Sequence, residues 1–193
     1  MGLFAKIWRR MKFAQWRNFS PDVYPMKKSP MDGHRLVNTR MSNTVVIGSP
    51  EKLNIADNVF VWHHSILDCS NGITIEEGCQ IGAWNGIFTH SSHISIRLYG
   101  KHYQGADMKG YVKGSVFIGK YTFVGPHSVI MPGTKIGKGS IISAYSMVKG
   151  EFPEFSIIAG NPAKVVGDTR KLDEPYLLAN PELRTFYEEW TKL

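Results

Sequence analysis

Cysteine, long apolar runs and a surplus of acid are what this 193-residue chain has least of. Its only cysteines, Cys69 and Cys79, lie ten apart, with no CxxC and no histidine at zinc-finger spacing. That pattern argues against a disulfide framework and suits a reducing compartment. No apolar stretch approaches the ~20 residues of a membrane span, and the start of the chain does not read as a cleavable signal. A cytoplasmic setting is therefore expected. The net charge of +7 belongs to one arm: residues 1–40 hold nine Lys/Arg against two Asp/Glu, whereas residues 41–193 hold fourteen of each. The neutral remainder lacks the basic stripe of a nucleic-acid binder, and no nucleic-acid partner is expected.

What is present in excess is a period of six. Ile118, Val124, Ile130, Ile136, Ile142 and Val148 stand six apart, with Gly119, Gly125, Pro132-Gly133, Gly137 and Gly139 between them. A helix would place apolar residues three and four apart, and a half-buried strand would alternate. Six suits a coil of short strands joined by tight turns, each strand sending one aliphatic side chain inward. Ile55, Val61, Leu67 and Ile73 form an earlier tract. There the count slips by two, and Ile75, Ile81 and Ile87 resume it. Ser70-Asn71-Gly72 reads as a bulge or lengthened turn at the slip. The 19 glycines and 10 prolines fit such a turn-rich solenoid. The fold class is all-β: a parallel β-helix of hexapeptide repeats.

Three regions follow. Residues 1–43 are a basic arm: a short helix over 2–19, then a linker with Pro21, Pro25 and Pro30 and a strand near Arg35–Thr39. Leu3, Phe4, Ile7, Trp8 and Met11 make an apolar stripe on the helix, which packs on protein or lies peripherally on an anionic membrane face. Residues 44–168 are the solenoid, interrupted by a loop over 89–115 where the six-residue count fails. Such an insertion leaves the coil and often carries the binding face. Residues 169–193 regain helical spacing, with Asn180 expected to cap a helix starting at Pro181. These helices cover the open end of the coil.

The repeats, the Thr-His loop and the closing run Ile158-Ala159-Gly160-Asn161-Pro162-Ala163-Lys164 resemble the left-handed β-helix acyltransferases. They are most similar to the branch that O-acetylates sugars of surface polysaccharide. The resemblance covers about Ile55 to Val166. It implies a left-handed coil, a homotrimer with sites between subunits, acetyl-CoA as donor, a sugar or oligosaccharide acceptor, and no resident metal. It also implies a histidine base at the start of the inserted loop.

The chemistry explains that histidine. A sugar hydroxyl must lose its proton as it attacks a thioester, and imidazole accepts one near neutral pH and passes it to the leaving thiolate. No acyl-enzyme is required. The family's base falls five residues after the equivalent of Ile87, which is Ser92 here. A one-residue shift makes His93 the expected base, ahead of His90. Asp68 could hold the imidazole tautomer, or could be a plain turn carboxylate beside Asn71-Gly72. His63 and His64, on an earlier turn, could reach the same groove. By the resemblance, Phe123, Gly125 and Pro126 lie along the pantetheine. Ser143 and Ala144 replace part of a Gly-Ala-Gly run, with the Ala144 N–H near the thioester, and Tyr145 departs from that run. Lys149 stands one place before Gly150, where the family commonly has a donor-site lysine, and Lys164 matches the basic residue near the CoA phosphates. Arg97, Tyr99, His102 and Tyr103 on the loop offer donors and aromatic faces to the acceptor. Two other readings stay open: an N-acetyltransferase of a nucleotide-linked amino sugar, and a zinc hydratase of the same coil type, which needs three histidines on one metal.

Overall fold

The computed structural model of the protein describes Phe4, Ile7, Trp8, Met11 and residues 20–192. Of the helix expected over residues 2–19, only those four positions fall within the described residues. They are helical and exposed. Residues 20–43 hold more order than a linker. Val23–Pro25 pairs antiparallel with Arg40–Ser42, and Lys28 bridges Arg35. The strand thus begins just after the span expected from sequence.

From Arg40 the chain winds into a three-sided prism. Its first face carries Arg40–Ser42, Phe60–Val61, Gln80–Ile81, Phe123–Val124, Ile141–Ile142 and Ser156–Gly160. The second carries Val46–Gly48, Ile66–Asp68, Gly86–Phe88, Val129–Ile130 and Met147–Val148. The third carries Leu53–Ile55, Ile73–Ile75, Val116–Ile118, Lys135–Ile136 and Glu151–Phe152. Neighbours along the axis are parallel and in register, so Val61 stacks on Ile81, Ile81 on Val124 and Val124 on Ile142. Every member of both six-residue series is buried. Each such side chain contributes roughly 1.5–3 kcal/mol by leaving water.

The two-residue slip has a structural cause. Around the upper coils the strands of the second and third faces are three residues long, and around the lower coils two. On the third face both ends of the longer strand point inward, so Leu53 and Ile55, then Ile73 and Ile75, are all core. On the second face the extra residue is Asp68, at the edge of the corner that Ser70-Asn71-Gly72 turns. Gly72 takes φ +93° there.

The last strands form an antiparallel hairpin, Ser156–Gly160 with Ala163–Asp168, closed by a cis Asn161–Pro162 peptide. Two helices follow, Thr169–Ala179 and Leu183–Thr191. Asn180 does not cap the second. Its N–H and its side-chain amide both donate to the Tyr176 carbonyl, closing the first helix instead. The second helix docks through Trp190, whose ring lies 4.7 Å from Tyr121 and 5.8 Å from Phe155 on the corner between the third and first faces.

Candidate active site at the root of the inserted loop

The inserted loop leaves the coil at the corner between the second and third faces. Its root is a short antiparallel pair, His90 opposite Lys113 and Ser91 opposite Val112. Between these limbs run a helix, Ser95–Tyr99, and a 3-10 turn, Gly100–His102. Asp68 stands one coil back, paired across the ladder with Phe88. That register carries Asp68 to the root.

Asp68 Oδ2 lies 2.6 Å from His90 Nδ1. The carboxylate also accepts from the Thr89 N–H at 3.1 Å and from the Ser70 N–H at 3.3 Å. Burial pushes its carboxyl up, but hydrogen bonds from Ser70 and Thr89 and the charge of His90 outweigh that and hold it below the usual carboxylate range. A carboxylate has only acceptors, so Nδ1 is the donor, and in the neutral ring Nε2 keeps its lone pair. The imidazole is about one-third exposed. Ser70 Oγ is 3.0 Å from the same Nδ1. A nucleophilic serine would have to meet the opposite nitrogen, so Ser70 steadies the ring and is not activated by it. Tyr111 lies parallel to the ring on its face, 5.5 Å between centroids.

The structure thus gives the carboxylate to His90, not to His93. The His93 Nδ1 meets only the hydroxyl of Ser91, at 2.7 Å, and its carbonyl accepts from Arg97. The expectation that favoured His93 missed this because the pairing depends on cross-coil register. Asp68, His90 and Tyr111 are distant in sequence and meet only across the loop. The slip in the hexapeptide count was the available signal, since it marks the lengthened strand that Asp68 ends.

The other expected residues fall elsewhere. Arg97 and Tyr99 are on the loop helix, where Tyr99 Oη accepts from the Lys109 N–H at 3.3 Å. His102 and Tyr103 follow it, His102 exposed. These residues pack the loop as well as face outward. His63 and His64 do not join the loop root of their own chain. They sit on the corner between the first and second faces, where His63 Nδ1 meets Ser42 Oγ at 2.7 Å and His64 stacks on Trp84 at 4.2 Å.

That corner carries the expected donor residues. Gly125 and Pro126 turn one coil, and Ser143 and Ala144 the next. A Cβ on Gly125 would come 2.5 Å from the Ala144 nitrogen, so only glycine lets these coils approach. The Ser143 and Tyr145 N–H groups donate into the coil, to Ile158 and Pro126, and Ala144 between them is exposed. Beside the corner is a cavity of about 280 Å³ lined by Phe60, Trp62, Gly82, Ala83, Phe123 and Pro126, among others. Its apolar walls suit an aliphatic amide chain such as pantetheine. Lys149 and Lys164 are exposed toward the end of the coil. Among the described residues no three His, Cys, Asp or Glu side chains converge as a metal site would need. None of their helices is long and apolar enough to cross a membrane.

Comparison with known proteins agrees with this architecture. The family "Bacterial transferase hexapeptide (six repeats)" matches residues 115–150. A putative acetyltransferase of Staphylococcus aureus is 46% identical over 66 residues, 34% of this chain and 32% of that protein. The putative lipopolysaccharide biosynthesis O-acetyl transferase WbbJ of Escherichia coli is 40% identical over 60 residues, 31% of each chain. These matches span about a third of the length of the curated relatives. A crystal structure of a hexapeptide-repeat acetyltransferase from Vibrio cholerae complexed with acetyl coenzyme A superposes with a TM-score of 0.58 at 19% identity, covering 70% of this chain and 68% of that one. In sequence this chain carries the bacterial transferase hexapeptide, and in structure it has the left-handed β-helix fold of the hexapeptide-repeat acetyltransferases.

Proposed function

We propose that the chain is an acetyl-CoA-dependent O-acetyltransferase acting on a sugar hydroxyl in surface polysaccharide of the O-antigen or capsule type. The carrying observation is the Asp68–His90 pair at 2.6 Å at the root of the loop. His90 Nε2 takes the proton of the acceptor hydroxyl, and the freed oxygen attacks the thioester carbonyl. The imidazolium then returns the proton to the thiolate as the carbon–sulfur bond breaks. Such general-base help supplies roughly a hundred- to ten-thousandfold in rate. Asp68 stabilises the imidazolium and fixes its tautomer. The Ala144 N–H is the donor offered to the oxyanion. The E. coli relative, named for lipopolysaccharide O-acetylation, and the acetyl-CoA in the Vibrio structure support this reading.

Assembly is part of the proposal. His90 and the donor residues occupy different corners of one chain. Ala83 to His90 is seven residues of mostly extended chain, about 20 Å. A second copy must therefore bring its Ala144 corner to this His90, as in a closed homotrimer. The outward rows support this. The second face presents Val46, Ile66, Val129 and Met147, and the first presents Phe60, Phe123, Ile141 and Ile157 together with Arg40 and Gln80. The third presents Asn54, Thr74, Phe117, Lys135 and Glu151, with an ion pair of 2.9 Å between the last two. The second face is apolar along its outward row, the first is apolar over its lower coils, and the third is mostly polar. The corner between the first and second faces adds a stack of rings, the half-buried His64 and the exposed Trp84, His127 and Tyr145. All four sit at φ near +60°, a conformation costly for aromatic residues.

The test is thiol release from acetyl-CoA across a panel of neutral sugars, oligosaccharides and amino-sugar nucleotides. Turnover with a neutral sugar hydroxyl, lost in His90→Ala, is the expected result. Turnover confined to an amino-sugar nucleotide would move the reaction to N-acetylation.

A further inference from the structure

We infer that Tyr111 is a positioning residue for His90, and that the returning limb of the loop, not the coil, sets the plane of the imidazole. The inference rests on His90 being the base. The Asp68 contact pins one atom, Nδ1, and leaves the ring free to rock about that contact. A second planar group against its face removes the freedom. Tyr111 supplies it: the rings are 6° from parallel. Parallel rings at this distance lie within the range of favourable aromatic pairs.

Tyr111 is itself held firmly. It precedes Val112 and Lys113, which close the antiparallel pair with Ser91 and His90. Its N–H donates to the Met108 carbonyl at 3.1 Å. Gly110 before it takes φ +82°, and a Cβ there would come 2.8 Å from Ile94. Only glycine allows the turn that delivers Tyr111 to the ring. Burial pushes the phenol up, with the charges of Tyr103 and Asp68 adding to it, so the hydroxyl stays protonated. It therefore offers no competing base. What it offers is a wall, with Ser70 and Asp68 at the Nδ1 edge and the Nε2 edge left for substrate.

A wall acts through shape, so phenylalanine should replace tyrosine and alanine should not. Tyr111→Ala is expected to lower kcat by about three- to tenfold, the rate equivalent of one stacked aromatic pair. KM for acetyl-CoA should not move, because Tyr111 acts on the plane of the imidazole and not on the donor. Tyr111→Phe should restore kcat. In a His90→Ala background, Tyr111→Ala should cost nothing more, since the residue acts only through that ring. Rates are read as thiol release from acetyl-CoA with the fastest acceptor of the panel. An acceptor-free measurement stands beside them. Ring ¹³C relaxation of His90 in the full chain should show a rigid imidazole in the wild type and in Tyr111→Phe and a rocking one in Tyr111→Ala, with the Nδ1–H tautomer kept in all three because Asp68 fixes it. A His90 ring as rigid in Tyr111→Ala as in the wild type overturns the inference, as does a Tyr111→Phe as slow as alanine, or a further loss in the double variant. Full activity of His90→Ala would instead remove the base assignment itself.

Discussion

Replacing Asp68 by asparagine removes one charge and almost no volume. In the wild type the carboxylate takes a charge-assisted hydrogen bond from His90 Nδ1 at 2.6 Å and a second bond from the Thr89 N–H. The asparagine oxygen can keep the Thr89 bond and loses only the longer one from the Ser70 N–H, so the corner should stay folded. A change of about 1 kcal/mol in stability would shift Tm by roughly 2–4 °C in a chain of this size. A hydrogen bond to a charged group contributes about 1.5–3 kcal/mol, and each 1.36 kcal/mol is tenfold in rate. If that bond is realised on the imidazolium in the transition state, kcat falls by about ten- to 150-fold. A larger loss has a defined cause. Should the amide turn its NH2 toward Nδ1, the imidazole must carry its proton on Nε2 and cannot act as a base. The loss then approaches the whole roughly hundred- to ten-thousandfold of general-base catalysis. The assay is thiol release under saturating acetyl-CoA, with thermal melting as control. Because the Asp68 carboxyl is held below its usual range, its own protonation weakens the site only at a pH more acidic than an ordinary carboxylate needs. A decline in rate nearer neutrality belongs to other groups. Asp68→Asn turning over at the wild-type rate, with the fold intact, would refute the assignment of the pair.

Three further outcomes are expected. His93→Ala should keep most of its activity, because its imidazole meets a serine and no carboxylate, and a loss equal to that of His90→Ala would reverse the order of the two. Cys69 and Cys79 are buried, and burial pushes both thiols up to about 12. A thiol reagent should therefore find no reactive group in the native protein and two after denaturation. Asp57, though desolvation opposes it, accepts N–H groups from Val37, Asn38, Thr39 and Asn58 and is lowered to about 2. Its folded value lies below its unfolded one, so its contribution is full above pH 4 and is lost as pH falls toward 2. Asp57→Asn should flatten that part of an acid-melting curve, and an unchanged acid limb would count against the clamp.

The sequence alone determined the coil. Aliphatics at every sixth position leave a chain of short strands one way to bury them, and Ile118 through Val148 occupy that core without exception. It also determined where the coil is interrupted, because the count stops at Thr89 and resumes at Val116. Periodicity is local information, and local information suffices for a solenoid whose coils contact only their neighbours. The Asp68–His90 pairing was of another kind. Asp68 and His90 are 22 residues apart, and Tyr111 is 21 further on. Only the register of Ile66–Asp68 on Gly86–Phe88, and the return of the loop onto its own root, put the three together. Asn180 shows the same limit at small scale, since a residue fit to begin one helix closed the previous one. Side chains brought side by side by coil stacking leave no mark in the order of the residues, because the spacing depends on how many residues each corner spends. Here two extra residues per coil carried a carboxylate to an imidazole, and only the folded chain shows which imidazole it reached.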